Sequence, residues 1–194
     1  MGRDTGPRAA ATSSHGTRAR FSADRLYRYA LWRVWDADRG LCNFLMLNPS
    51  TADETADDPT VARCTRRART WGYGGLVVTN LFAFRTTDPA GLLAAPEPVG
   101  PEDDAAIVAA ARTAALVVCA WGNHGAYRGR ASAVRALLDG LRVTPHHLAL
   151  TRRGEPAHPL YLGYSLVPVP ARAPILEPPH PSLVPGRPGP PAAT

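Results

Sequence analysis

Polar side chains crowd the point where one apolar run of the sequence stops. Residues 42–47 have the length and composition of a buried strand, and Asn48-Pro49 ends the run because proline lacks a backbone donor. Amide, hydroxyl and carboxylate groups follow at once, on Asn48, Ser50, Thr51 and Asp53. Ligands of open α/β sheets bind outside the carboxyl ends of the strands, which makes these groups candidates for a site. The simpler interpretation is a turn and a capped helix.

Further apolar runs, predicted as strands at 76–79, 115–120 and 146–150, also end in polar residues. Because strands alternate with helical patterns, we expect an α/β fold with three α/β/α layers and a mostly parallel central sheet. A β-hairpin of residues 27–35 and 41–47 is expected to precede it. A parallel sheet would gather at one edge the residues Asn48, Asn80, Trp121, His124 and His158.

Familiar cofactor and hydrolase motifs are missing from the sequence. There is no G-x-G-x-x-G, no P-loop and no G-x-S-x-G, so we expect neither a nucleotide cofactor nor an esterase-type serine. The histidines lack H-E-x-x-H spacing, and the three cysteines lack C-x-x-C spacing. We therefore expect no cofactor, no metal and no disulfide framework, which leaves amides, carboxylates and histidine to do chemistry.

Length and composition fit one soluble domain with two tails. The 194 residues are 45% hydrophobic and contain neither a membrane-spanning apolar run nor a secretory signal. We expect a disordered basic tail at 1–20, a single α/β domain at 21–170 and a mobile proline-rich tail at 171–194. Odd, dispersed cysteines predict a reducing cytoplasmic compartment.

The net charge of +6 comes from arginine alone, since none of the 22 basic residues is lysine. This bias is typical of GC-rich coding and does not by itself predict a nucleic-acid partner. One predicted helix, at 60–71, carries three arginines on one face, and a predicted loop carries two more. These side chains are either solvated surface or contacts to phosphates. The candidate phosphate contacts are Arg63, Arg66, Arg67, Arg152, Arg153 and His124.

Four short motifs, in order, resemble those of the uracil-DNA glycosylase superfamily over about residues 41–161. They are Asn-Pro-Ser at 48–50, Val-Thr-Asn at 78–80, Trp-Gly-Asn-His at 121–124 and His-Pro at 158–159. A closer resemblance is to an uncharacterised bacterial and phage family that carries Leu-Asn-Pro-Ser-Thr-Ala, Asn-Leu-Phe-Ala and His-Pro-Leu-Tyr. The resemblance implies the superfamily's three-layer fold, a DNA partner and a bacterial or phage-associated protein.

The resemblance also implies roles for individual residues. Asn48 stands where the water-activating Asp or Asn stands, Asn80 where the base-reading Asn stands, and His158 where the leaving-group His stands. The implied base pocket consists of Asn80, Phe82, Ser50, Thr51 and Tyr161, with Phe82 or Tyr161 stacking on a flipped base.

Several positions depart from the superfamily pattern. Asn48 cannot act as a general base, because an amide does not titrate, so Asp53, or else Asp57 or Asp58, is the candidate to activate water. Met46 replaces an expected glycine, and Leu160-Tyr161 replaces the usual Ser-Pro. A second His-Pro pair lies at 180–181 in the proline-rich tail, and we prefer His158 because it follows a predicted strand.

Three functional hypotheses follow from these residues. The first is a DNA N-glycosylase that flips and excises a uracil, mismatched or modified base from single- or double-stranded DNA. The second is a non-catalytic module that binds a nucleobase or DNA with the same pocket. The third is a hydrolase of free nucleosides or nucleotides. The sequence narrowly favours the enzyme and names neither the base nor a protein partner.

Overall fold

Seven strands form one sheet in a computed structural model that describes residues 16–171. The strands are β1 Gly16–Phe21, β2 Arg28–Val34, β3 Leu41–Met46, β4 Gly75–Asn80, β5 Leu116–Cys119, β6 Pro145–His147 and β7 Val169–Pro170. The helices are α1 Pro59–Thr70, α2 Pro89–Ala94, α3 Asp103–Thr113 and α4 Arg130–Gly140, with 3-10 turns at Asn123–Gly129 and Pro159–Tyr161. Within the described residues, no helix has the length and apolar character needed to cross a membrane.

The sheet is mixed, with the order β1-β2-β4-β3-β5-β6-β7. Strands β4, β3, β5 and β6 are parallel, whereas β1, β2 and β7 join antiparallel. The expected α/β class is therefore confirmed. The expectation of a mostly parallel sheet holds for the four central strands and is wrong for the edges, because β1 and β2 form a hairpin and β7 folds back on β6.

Alternation along the central strands divides the core between the two faces of the sheet. Cys42, Phe44 and Met46 of β3 pack in one cluster, which also contains Val61, Cys64 and Ala68 of α1. Leu45, between them in sequence, packs in a second cluster with residues of α3 and α4. Successive side chains of a strand point to opposite faces, so the continuous apolar run at 42–47 serves helices on both sides.

The predicted hairpin of residues 27–35 and 41–47 is wrong. Strand β4 lies between β2 and β3, and the hairpin partner of β2 is β1. The turn after β2 instead wraps over the start of β4, since the backbone N–H groups of Trp35 and Asp36 both donate to the Gly74 carbonyl at 2.9 Å. A Cβ on Gly74 would overlap the Asp36 carbonyl, so this close approach needs glycine.

Two other predicted boundaries shift. Residues 16–20, assigned to a disordered tail, belong to β1, while residues 1–15 and 172–194 lie outside the described residues. The strand predicted at 146–150 is confined to β6, because Leu148 leaves the ladder and packs in the cluster beneath α1.

A buried ion pair joins the starts of α3 and α4 to the loop after β4. The Arg130 guanidinium donates to the Leu81 carbonyl at 2.6 Å and to Asp103 Oδ2 at 3.2 Å, and Asp103 is fully buried. Burial raises the pKa of Asp103 to about 7, outweighing the opposite effect of Arg130. Asp104, which is exposed, contacts the same guanidinium at 2.6 Å.

We predict that Asp103 makes folding stability fall as pH rises. Because its folded pKa is raised above the unfolded value, the folded protein holds a proton that the unfolded chain has lost between about pH 4 and pH 7. The unfolding free energy of wild type, measured against that of Asp103→Asn by chemical denaturation, should decrease by about 2 kcal/mol between pH 5 and pH 8. Asp139→Asn, which removes an exposed acid of α4, is the matched control and should keep the wild-type trend. If the unfolding free energies of wild type and Asp103→Asn change in parallel with pH, Asp103 is already ionised at pH 5.

Candidate functional site

The carboxyl ends of β3 and β4 meet side by side, as the sequence predicts for a parallel pair. Met46 is in register with Asn80, and the two chains stay joined beyond the strands. The N–H of Leu81 donates to the Met46 carbonyl at 2.8 Å, and that of Phe82 to the Leu47 carbonyl at 2.9 Å. This pairing fixes the position of Asn80 relative to the loop that begins at Asn48.

Asn80 is almost completely buried, and an arginine holds its side chain. Arg28, at the start of β2, donates from Nη2 to Asn80 Oδ1 at 3.3 Å and from Nη1 to the Ala52 carbonyl at 2.9 Å. The guanidinium therefore links three chain segments, namely β2, the end of β4 and the loop after β3. With Oδ1 accepting from Arg28, the Nδ2 group of Asn80 is oriented away from the arginine as a free donor.

A β-bulge gives Arg28 this orientation. Arg20 pairs with Ala30 but Phe21 pairs with Arg28, so Tyr29 is an extra residue on β2. Ala30 and Tyr29 both pack against α3, in two small clusters. Strict alternation would point Arg28 to the same face as Ala30, whereas the extra residue turns it to the α1 face, where Asn80 lies. Bulges that re-aim a side chain are common beside functional sites.

Arg28 is a buried cation without a carboxylate partner. Its relative exposure is 2%, and among residues 16–171 it forms no ion pair within 4.0 Å. Burial lowers the pKa of Arg28 to about 10, partly offset by Asp58, so the side chain stays charged at neutral pH. Its Nε and the Nδ2 of Asn80 are buried without a hydrogen-bond partner. Unpaired buried donors are costly, so their presence at a strand end marks a candidate site.

Asn48 fastens the loop after β3 to the segment after β4. Its Nδ2 donates to the Thr86 carbonyl at 2.8 Å and to the Pro49 carbonyl at 3.1 Å, while the Thr86 N–H donates to Pro49. The donor half of this amide is therefore structural. Its Oδ1 is the half that can contact a ligand or a water.

The four acids that follow form contacts that hold the loop, and these contacts argue against the prediction that Asp53 activates water. Asp53 Oδ1 accepts from the N–H groups of Thr55 and Ala56, which lowers the pKa of Asp53 to about 2. A carboxylate of such low basicity that is closed into a turn is a poor general base. Glu54 pairs with Arg25 through two hydrogen bonds of 2.8 and 2.9 Å, which lowers its pKa to about 2.

The two alternative acids, Asp57 and Asp58, also form contacts within the fold. Asp57 pairs with the buried Arg33 at 2.7 Å, and Arg33 donates further to the Asp53 and Ala56 carbonyls. Asp58 is the N-cap of α1 and accepts from the Val61 N–H at 2.8 Å. Asp58 still has an electrostatic role, because its charge acts on both Arg28 and His158.

His158 caps the 3-10 turn at Pro159–Tyr161 and is half-buried. Its Nδ1 accepts from the Leu160 N–H at 3.4 Å, which assigns the proton of the neutral ring to Nε2. Burial lowers the pKa of His158, with Asp58 acting in the opposite direction. The ring is therefore neutral at pH 7, and Nε2 is a donor. Tyr161 is 83% exposed, and its ring centroid lies 6.0 Å from that of His158.

Three sequence-predicted contacts have other roles. Phe82 is completely buried in the cluster beneath α3 and α4, so it cannot stack on a base. Arg67 is also buried and donates to the Leu162 and Gly163 carbonyls at 2.8 Å each and to the Leu166 carbonyl. Arg63 donates to Leu162 as well, at 2.6 Å. These two arginines bind the chain's own backbone and are not free to contact phosphate.

The remaining candidates lie at or near the surface of the strand-end loops. Thr51, His124, Arg152 and Arg153 are exposed, and Ser50 is half-buried. The loop that carries Arg152 and Arg153 is docked on the loop after β5, where Thr151 donates to Asn123 at 2.6 Å and Trp121 donates to Glu155 at 2.7 Å. Arg66 is exposed on α1 and stacks on Tyr164 at 4.2 Å. An open cavity of about 350 Å³ lined by Arg33, Trp35 and Arg69 lies instead at the end of β2, beside α1.

A family model described as a protein of unknown function (DUF1643) matches residues 28–160. The chain belongs to the DUF1643 family. No curated protein and no solved structure matches it. The matched residues begin at Arg28 and include Asn48, Asn80 and His158, whereas Tyr161 lies one residue beyond the match.

Sequence reasoning about this DUF1643 chain missed Arg28. The available signal was an arginine inside a strand pattern, next to Tyr-Ala-Leu-Trp, where a charge must be paired or functional if it is buried. The bulge that decides its direction leaves no mark in the sequence.

We predict that replacing Arg67 destabilises the fold much more than replacing Arg66, although the two are neighbours on α1. Arg67→Met should lower the free energy of unfolding by about 2–4 kcal/mol, because it removes charged hydrogen bonds to three carbonyls. Arg66→Met is the matched control and should cost less than about 1 kcal/mol. Urea denaturation gives both values. If the two variants were equally stable and lost DNA affinity equally, Arg66 and Arg67 would instead form a phosphate-binding stripe on α1.

Proposed function

We propose that this DUF1643 chain is a DNA N-glycosylase that holds a flipped uracil, mismatched or modified base at the carboxyl edge of β4. The proposal is carried by one observation: Asn80 is buried at that edge with Oδ1 held by Arg28 and Nδ2 unpaired. A buried amide with a fixed orientation and a free donor is suited to read a carbonyl on the edge of a base.

The proposed fold assignment is part of the same hypothesis. Four parallel strands flanked by α1 on one face and by α3 and α4 on the other support a three-layer arrangement like that of the uracil-DNA glycosylases. Of the four motifs that resemble the superfamily, the second ends β4, and the others follow β3, β5 and β6. Three free, buried cysteines are consistent with the bacterial or phage-associated cytoplasm that we propose as the compartment.

Cleavage would proceed with the leaving base taking the electron pair of the C1′–N bond. The base then gathers negative charge on its ring and carbonyl oxygens. His158, neutral with its proton on Nε2, would donate a hydrogen bond to one of these oxygens, and the nearby Arg28 charge would stabilise the anion. Water then bonds to C1′ and releases a proton, which neutralises the departing base.

Asn48 would orient that water through Oδ1. No carboxylate is needed to deprotonate it first, because a sugar cation is a strong electrophile once the base has left. This route fits the observation that Asp53, Glu54, Asp57 and Asp58 are all engaged in the loop. Tyr161, exposed beside His158, would stack on the extruded base, with Ser50 and Thr51 lining the entrance.

DNA phosphates would be bound by the basic side chains left free at this edge. Arg152, Arg153 and His124 are exposed on loops that follow β6 and β5, and Arg66 lies on the neighbouring face of α1. Such contacts are electrostatic, so affinity for single- or double-stranded DNA should fall steeply with salt.

The engaged acids also favour a second candidate function, a non-catalytic module that binds a nucleobase or DNA. If the sugar cation forms too slowly without a base to activate water, the same pocket would bind without cleaving. The hydrolase of free nucleosides or nucleotides has no observation of its own.

We predict that excision depends on His158 and Asn48. A panel of labelled oligonucleotides, each with one uracil, hypoxanthine, hydroxymethyluracil, modified cytosine or mismatch, is incubated with the protein and treated with alkali to break abasic sites. His158→Ala should slow excision about 10²–10³-fold, the usual cost of losing one oxyanion donor, and Asn48→Ala should also abolish most activity. His146→Ala, on β6 at the other edge of the sheet, is the control.

If both variants still produce the strand break at the wild-type rate, residues other than His158 and Asn48 carry out the excision. The absence of any break, with salt-dependent DNA binding retained, would establish the binding module in place of the enzyme.

We predict that Asp53→Asn keeps full excision activity. An asparagine Oδ1 can accept the same two backbone N–H bonds, so the turn is preserved while the titratable group is removed. A general base replaced by its amide would instead reduce the rate about 10²–10⁴-fold. The single-turnover rate of excision separates these outcomes, and Asp38→Asn, an exposed acid of the turn after β2, controls for the change in charge.

A further inference from the structure

Every unpaired buried polar atom around Arg28 is a donor. These atoms are Arg28 Nε, Asn80 Nδ2 and Arg85 Nε. The side chains that carry the first two are joined directly, because Arg28 Nη2 donates to Asn80 Oδ1 at 3.3 Å. A group that satisfied them would have to be an acceptor with more than one oxygen.

The charge at this point also has no contacting carboxylate, since Asp58 acts on Arg28 only from beyond ion-pair distance. Among the buried arginines of the described chain, Arg33 and Arg130 pair with carboxylates, and Arg67 donates to three backbone carbonyls. Arg28 contacts one backbone carbonyl and one amide oxygen, neither of which carries a charge. A buried cation ordinarily has a partner of opposite charge, because its desolvation is otherwise unfavourable.

A second cation increases the positive potential there. Arg85 lies on the segment after β4, and its charge acts on Arg28. Its position is fixed by a backbone bond from its N–H to Leu26 and by an Nη1 bond to the Arg25 carbonyl at 3.2 Å. Arg85 follows two residues after Ala83, whose carbonyl accepts from the Arg28 N–H at 2.9 Å, so the fold keeps the two arginines on adjacent chain segments. Each has an unpaired Nε, and like charges on adjacent segments favour an anion that contacts both.

We propose that Arg28, Asn80 and Arg85 form a subsite that binds an oxyanion, a phosphate or carboxylate group of the ligand. The planar Nε edge of an arginine and the amide N–H₂ suit the oxygens of either group. The ligand is then either a nucleotide held by its phosphate or a base with an acidic substituent. Only the assignment of the ligand to nucleic acid or a nucleotide rests on the proposed function, because the oxyanion subsite stands on this geometry alone.

The sharpest variant is Asn80→Asp, which places a carboxylate where Oδ1 now contacts Arg28. This internal anion should occupy the subsite. The variant is therefore expected to melt at a higher temperature than wild type in chloride buffer and to lose measurable affinity for phosphate. Asn43→Asp is the matched control, since Asn43 is equally buried but contacts Thr79 on the opposite face; it should melt at a lower temperature.

Arg85→Met tests the subsite without altering Asn80. Losing a charged donor should weaken phosphate binding about ten- to a hundredfold. Arg112→Met, exposed on α3, removes the same charge far from the subsite and should leave binding unchanged. Calorimetric titration with sodium phosphate in Tris chloride, at matched ionic strength, gives the dissociation constants.

Three nucleosides then separate the two sources of the oxyanion. Deoxycytidine is the uncharged reference, deoxycytidine 5′-monophosphate adds a phosphate, and 5-carboxydeoxycytidine adds a carboxylate to the base. Tighter binding of the monophosphate or of the carboxylated nucleoside supports the subsite and shows whether it prefers a phosphate or a carboxylate. Equal affinity for all three, with phosphate bound no better by wild type than by Asn80→Asp, overturns it.

The excision assay is independent of these titrations. Phosphate binding that Asn80→Asp abolishes, with no excision of any base, would support the subsite and contradict the glycosylase. Excision of a base without binding of phosphate or carboxylate would support the glycosylase and contradict the oxyanion subsite.

Discussion

The buried guanidinium of Arg28 is the interaction on which the carboxyl edge of the sheet depends. It joins β2, the end of β4 and the loop after β3 through Asn80 and the Ala52 carbonyl. None of these contacts neutralises its charge, and removing a charge from water is costly. The fold therefore maintains an unfavourable electrostatic state at one point, which is typical of a site built for a ligand and untypical of a purely structural contact.

Arginine performs the same linking role elsewhere in the molecule, with more complete pairing. Arg25 and Arg33 fix the acidic loop through Glu54 and Asp57, while Arg67 of α1 fixes the segment that follows His158. In each case one planar side chain with several donors satisfies two or more acceptors on a segment distant in sequence. This explains how a chain whose basic residues are all arginine can carry several of them inside the fold.

Both Arg28, which holds Asn80, and His158 are influenced by the charge at the start of α1. Asp58 caps that helix, and its negative charge opposes the effect of burial on the pKa of both His158 and Arg28. A neutral histidine with its proton on Nε2 and an arginine that stays charged both stabilise negative charge on a ligand. The chemistry that we propose for this edge is therefore the binding and stabilisation of anions, without a general base.

The sequence by itself determined the α/β class, the central strands and the placement of Asn48, Asn80 and His158 after strands. Periodicity, proline and chain order are local properties, and parallel strands must end at one edge. Only the tertiary structure decided that β4 separates β2 from β3, that Phe82 faces the core and that Asp53 closes a turn. The same holds for Arg28, whose direction depends on one extra residue in a bulge. Burial and pairing depend on residues distant in sequence, so no local pattern encodes them.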